Sequence, residues 1–153
     1  MPQNSHSRIN YLELLVDEVI LSRQDPNSGL FPASTSVSQH GDYRDAWVRD
    51  NVYTILSVWG MWLYFKKQAD APRQTEKYSL SVKKLMRGLL HAMMKQSHKV
   101  ERFKTSRNPL DALHAKYNTQ TGDAVVGDDE WGHLQIDATS LFLLMLGQMT
   151  QSG

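Results

Sequence analysis

A chain of 153 residues, 41% hydrophobic and 22% charged, has the size and composition of one ordinary globular domain with a sizeable core. A formal net charge of +1 gives no reason to expect nucleic acid as the partner. Zero cysteines exclude a disulfide framework, a thiolate zinc site and a cysteine nucleophile.

The N-terminal stretch MPQNSHSRIN is polar and lacks the apolar core of a secretory signal, so residues 1–10 are expected to form a polar tail and residues 11–153 the domain. A first helix is expected over residues 9–23, with Leu12, Leu15, Val19 and Ile20 on one face. Pro26, Gly29 and Pro32 then supply turn chemistry. A second helix over 49–67 is apolar on every side, through Val52, Ile55, Leu56, Val58, Trp59, Met61, Trp62 and Leu63. The third, over 75–99, has the stripe Val82, Leu85, Met86, Leu89 and Met93, with Lys83, Lys84, Arg87 and Lys95 elsewhere. Residues 106–135 form a long polar stretch whose tryptophan, histidine and tyrosine argue against disorder and for function. A fourth helix follows over 136–149, again apolar nearly all round.

No run reaches the roughly 18 uninterrupted apolar residues of a membrane span. The nearest, residues 52–65, is interrupted by Thr54, Ser57 and Gly60. The C-terminal MTQSG has no cysteine for prenylation, and the chain is expected to be cytoplasmic with no membrane partner. Amphipathic helices alternate with helices apolar all round, and a helix apolar on every side calls for cover on every side. Outer, inner, outer, inner is the pattern of layered helix pairs in an α/α toroid, whereas a four-helix bundle has amphipathic helices throughout. The apolar helices call for more cover than two amphipathic partners provide. The expectation is therefore an all-α chain that forms the first portion of a larger barrel, or one that self-associates.

Chemistry concentrates at the mouths of the two apolar helices. The stretch DYRDAWVRDNVY, residues 42–53, holds three aspartates, two arginines, one tryptophan and two tyrosines. A helix entry accounts for part of it, with an aspartate near the helix dipole and Trp47 stapling the loop to the core. A sugar subsite accounts for the rest: Trp47 stacks on a pyranose, and Arg49 and Asp50 supply a donor fork and an acceptor for hydroxyls. The stretch GDDEWGHLQIDATS repeats the arrangement, with Trp131 as platform and Gln135 and Asp137 as hydrogen-bonding groups, while Asp128, Asp129 and Glu130 read as a solvated turn. The acidic run matches no EF-hand loop and the six histidines show no zinc spacing, so no metal and no cofactor are expected. No phosphate-binding glycine loop, G-x-S-x-G elbow or kinase signature is present, and His91, His98 and His114 have no assigned role.

The segments GLFPAS, DAWVRDNVY, VKKLMRGLL, LHAKYNTQTGD and VVGDDEWGHLQIDATSLFLL resemble the N-terminal glucoamylase-like domain of phosphorylase kinase alpha and beta subunits, within glycoside hydrolase family 15. The likeness runs from about Tyr11 to Gly153 and is closer to the alpha type, because Trp47, Arg49, Asp50 and Trp131 are all in place. It implies an (α/α)6 barrel of twelve helices, of which this chain holds roughly the first third. It also implies that Arg49 and Asp50, with Trp47 beside them, hold the glucose at the non-reducing end. Trp131, Gly132, Gln135 and Asp137 match the motif lining the same pocket. The family's catalytic glutamates lie further along the chain, so no catalytic residue is expected here. The implied partners are an α-glucan or glucose-terminated oligosaccharide and, on a regulatory reading, kinase-complex subunits.

Overall fold

The structure, a computed structural model, describes residues 3–38 and 41–153. It is built from five α-helices: α1 (Gln3–Leu15), α2 (Val48–Phe65), α3 (Pro72–Met94), α4 (Ser97–Ser106) and α5 (Ile136–Gln151). Four two-residue strands, β1 (Val37–Ser38), β2 (Gly41–Asp42), β3 (Ala46–Trp47) and β4 (Lys116–Tyr117), pair as two antiparallel ladders, β1 with β2 and β3 with β4. Among the described residues no helix is long and apolar enough to cross a membrane.

α2 is the centre. Val52, Ile55, Val58, Met61, Trp62 and Phe65 bury along it, against Val82, Leu85, Met86 and Leu89 of α3 and Phe142, Met145 and Met149 of α5. The α3 stripe read from periodicity is therefore the buried one. Phe65 stacks on Tyr78 at 5.7 Å between ring centroids, and the Tyr78 hydroxyl donates to Asp17 at 3.3 Å. Burial, reinforced by the Asp17 and Glu13 charges, pushes the Tyr78 phenol well above its usual range.

Three elements differ from their expected form. Helix begins at Gln3, so residues 3–10 of the expected tail are helical, while residues 1–2 lie outside the described residues. After Leu15 the chain makes a π-turn over Val16–Ile20 and a 3₁₀ turn over Leu21–Arg23. Such a wide turn rotates the faces that follow it. Val16 is buried and Ile20 packs partly buried against the core, whereas Leu12, Leu15 and Val19 are exposed, so of the predicted apolar face only Ile20 packs. The third expected helix is two helices. Gln96 breaks it because its side chain is used elsewhere: Oε1 accepts from the His114 backbone N–H at 3.3 Å and Nε2 donates to the Tyr117 hydroxyl at 3.0 Å.

The outer side of α5 carries uncovered apolar surface, with Ile136 83%, Leu143 60% and Leu144 58% exposed. Its all-round hydrophobicity is thus matched by packing on one side only within the described residues.

Candidate functional site

The two motif loops meet on either side of the segment 112–117. In the first loop, β3 pairs with β4 in the register Ala46 to Tyr117 and Trp47 to Lys116. Trp47 is extended (φ −89°, ψ 134°) and precedes α2 with no side-chain cap. The helix mouth is held instead by Asn51, which is 1% exposed. Its Oδ1 accepts from Phe31 N–H at 2.8 Å, and its Nδ2 donates to the carbonyls of Phe31 and Trp47, both at 2.9 Å. One amide thereby satisfies three buried backbone groups that would otherwise cost about 1–3 kcal/mol each.

Ala115 joins the two loops through the backbone. Its carbonyl accepts from Val48 N–H and its N–H donates to the His133 carbonyl, each at 2.9 Å. Next to His133, Gly132 adopts φ +92°, and a Cβ there would stand 3.1 Å from Trp47 Cη2. The absent side chain lets the second loop close onto the first. Trp131 then meets Trp47 edge to face, centroids 5.5 Å apart at 65°. Trp47 is half-buried and Trp131 is 82% exposed.

Arg49 closes the site from below. Its Nη1 donates to Gln135 Oε1 at 3.1 Å and to Asp137 Oδ2 at 3.4 Å, and its Nη2 stands 3.9 Å from Asp50. All six sequence-predicted residues, Trp47, Arg49, Asp50, Trp131, Gln135 and Asp137, therefore lie around one guanidinium and one aromatic pair. Lys116 adds a cation 5.6 Å from the Trp47 ring centroid and pairs with Asp45 at 2.8 Å. The result is an exposed aromatic surface beside a donor fork and amide and carboxylate acceptors. That combination suits a polyhydroxylated ring, with an apolar face to stack and hydroxyls to bond.

Sequence reasoning missed what lies beneath the second loop. Asp128, read as part of a solvated turn, instead accepts from the buried Lys99 ammonium and bonds His114 Nε2 at 2.7 Å. The Lys99 and His114 hydrogen bonds hold the Asp128 carboxyl down at about 2. Burial lowers the His114 pKa, although its bond to Asp128 opposes that shift. With Asp128 ionised, His114 Nε2 carries the shared proton, and its buried Nδ1 has no hydrogen-bond partner. His133 stacks beside it, ring centroids 4.4 Å apart, and its Nε2 donates to the Ala112 carbonyl at 2.9 Å. His114, Asp128 and His133 bring possible ligand atoms within 4.8 Å of one another. Lys99 neutralises the carboxylate and the Ala112 carbonyl engages His133, so the cluster is held as an ion-pair network, with the His114 Nδ1 left over. The signal available in sequence was a lysine, two histidines and an aspartate within residues 99–133, and their spacing fits no local pattern.

The sequence profile of glycosyl hydrolases family 15 matches residues 8–153. The chain belongs to that family, and its helical architecture is that of an all-α domain of this kind. Among individual proteins it is 56% identical over 153 residues to the phosphorylase b kinase regulatory subunit alpha, skeletal muscle isoform, of Oryctolagus cuniculus. It is 54% identical to the liver isoform of Takifugu rubripes and 54% identical to that of Mus musculus. Each match covers 98% of this chain and 12% of the relative, so the chain spans about one eighth of the length of these relatives.

Proposed function

We propose that this chain forms the opening part of an α-glucan-recognising, family 15-type domain, and that the Trp47–Trp131 mouth holds the terminal glucose. The carrying observation is convergence: Arg49 reaches Gln135 and Asp137, 86 and 88 residues away, under an aromatic pair drawn from the same two loops. Trp131 stacks on the sugar face, Arg49 and Asp50 take adjacent hydroxyls, and Gln135 and Asp137 set Arg49 and accept from the ring substituents. The uncovered side of α5 is the face on which further helices of an (α/α)6 barrel, or a second chain, would pack. Titration with maltotriose, followed by tryptophan fluorescence and calorimetry, tests the site. Arg49→Ala and Trp131→Ala should each weaken binding at least about tenfold, a loss of about 1.4 kcal/mol. Parental affinity in both variants would sink the assignment.

The biological role we infer is regulatory and cytoplasmic, with the sugar site serving a kinase assembly in glycogen metabolism. The relatives support this reading, since those named above are regulatory subunits of phosphorylase b kinase at 54–56% identity. An inverting hydrolase is the rival, with its glutamates elsewhere in the polypeptide. Glucose release from maltotriose by the longest natural protein containing this chain would favour the hydrolase. Binding without turnover supports the regulatory domain.

A further inference from the structure

On the opposite side of α3 from the core lies a cleft of about 640 Å³. One wall is a single row of the helix: Lys83, Arg87 and His91 stand at i, i+4 and i+8. At 1.5 Å per residue that row is about 12 Å long. The neighbouring row forms the close-packed edge. A Cβ on Gly88 would collide with the Ser28 carbonyl, and one on Gly122 would stand 3.4 Å from the Ala92 Cβ. The other walls are the turns carrying Asn27 and Ser28 and carrying Gln120 and Thr121. These are pinned in place: Ser28 Oγ donates to the Thr119 carbonyl at 2.5 Å, and Lys95 Nζ donates to the Thr121 carbonyl at 2.7 Å.

Several cations of the neighbouring helix surface have carboxylate partners. Along α3 and α4, Lys77 pairs with Asp17, Lys95 with Asp123, Lys99 with Asp128, Arg102 with Asp111 and Lys104 with Glu101. Lys83 and Arg87 have no ion-pair partner among the described residues, and no carboxylate lines the cleft. Lys84 acts only through space, on Asp25. Burial raises the Asp25 carboxyl, but backbone N–H bonds from Ser28 and Asn27, aided by Lys84, bring it below its usual value. Cations on one wall, with neutral amides and hydroxyls on the others, give the cleft a positive local potential that favours an anion.

We propose that this cleft binds a small phosphate ester, with its phosphoryl group against Lys83 and Arg87 and its hydroxylated body against Asn27 and Gln120. The volume is that of a small-molecule site, and the walls on three sides disfavour a flat membrane or an extended polymer. Lysine and arginine one helical turn apart can share one phosphate's oxygens, the arginine bidentately.

The test uses the 153-residue chain at low salt, titrated with inorganic phosphate, ribose 5-phosphate and ribose by calorimetry and by amide shifts in NMR. Saturable single-site binding is expected for both phosphates, tighter for ribose 5-phosphate, with none for ribose. Lys83→Glu and Arg87→Glu should each weaken ribose 5-phosphate by at least about tenfold, while Lys104→Glu leaves it unchanged. Thermal melts confirm that each variant folds, and the milder Lys83→Gln and Arg87→Gln should show smaller losses in the same order. Non-saturating binding, or affinity indifferent to both charge reversals, overturns the proposal. So does tighter, Lys83-dependent binding to a phosphoserine peptide or to phosphatidylserine vesicles. Because none of the cleft residues belongs to the proposed sugar site, failure there and failure here are read separately.

Discussion

The two tryptophan loops look alike in sequence and are held in different ways. The Trp47 loop is fixed by backbone: a strand ladder to β4, the Val48–Ala115 bond and the Asn51 amide. Among the described residues the Trp131 loop has one backbone tie, Ala115 to His133, and otherwise rests on side chains: Lys99 and Asp128 with His114, His133 on the Ala112 carbonyl, and Arg49 on Gln135 and Asp137. Accordingly Trp47 is half-buried while Trp131 is 82% exposed. A mouth built this way has one rigid wall and one wall whose position depends on an ion pair.

Removing the rigid wall's anchor should cost most. Asn51→Ala leaves the Phe31 N–H and carbonyl unpaired in the core, and a loss of about 3 kcal/mol is expected in urea unfolding. A loss below about 1 kcal/mol would mean that the Asn51 amide is not the anchor. Asp128→Ala comes next. Breaking a fully buried pair costs about 3–5 kcal/mol, but Asp128 is 43% exposed in its side chain, so about 2 kcal/mol is expected. The same variant should blunt the maltotriose-induced fluorescence change more than Asn51→Ala does at equal fraction folded. An equal change in both would erase the distinction between the walls.

Gly132→Ala probes the seam between them. Its left-handed φ and the close Trp47 ring make about 1–2 kcal/mol of destabilisation the expected result, with a reduced Trp47–Trp131 exciton signal in near-ultraviolet circular dichroism. Retained stability and signal would show that the loops do not need this approach.

Acid should act on the ionic wall first. His114 has a folded pKa below its unfolded value, so the unfolded state binds more protons as pH falls through about 6.5. Its contribution is full above that pH and declines below it, with a slope of at most about 1.4 kcal/mol per pH unit. Asp128, with a folded value of about 2, contributes above the ordinary carboxylate range and is lost only as pH falls toward 2. His114→Gln should flatten the stability profile between pH 7 and 5, and an unaltered slope would remove His114 from the account. Smallest of all is the stability effect of Trp131→Ala, within about 0.5 kcal/mol because the ring is exposed. Its binding loss is the one set out for the sugar site, and a large stability loss instead would make Trp131 a structural residue.

Much of this was legible before any coordinates. Apolar spacing located the α3 stripe, and α2 and α5 lie within a few residues of their expected bounds. The six mouth residues stand out in sequence because each loop carries its own tryptophan and hydrogen-bonding groups within a few positions. The first helix departs from expectation partly because a wide turn at Val16–Ile20 changes the phase of the side chains after Leu15 while leaving the composition unchanged. The split at Gln96 was hidden as well, because its cause is a pair of partners 18 and 21 residues away.

By itself, then, the sequence determined the helices, the motif loops and the chemistry those loops carry, because helical period and turn chemistry act over a few residues. Tertiary structure decided that the loops meet, that Asp128 pairs with Lys99 and His114, and that among the described residues Lys83 and Arg87 stand without a carboxylate. Each of those outcomes depends on groups brought together across as many as 88 residues of chain or on the absence of any such group. Local spacing carries no information about which distant partner will arrive.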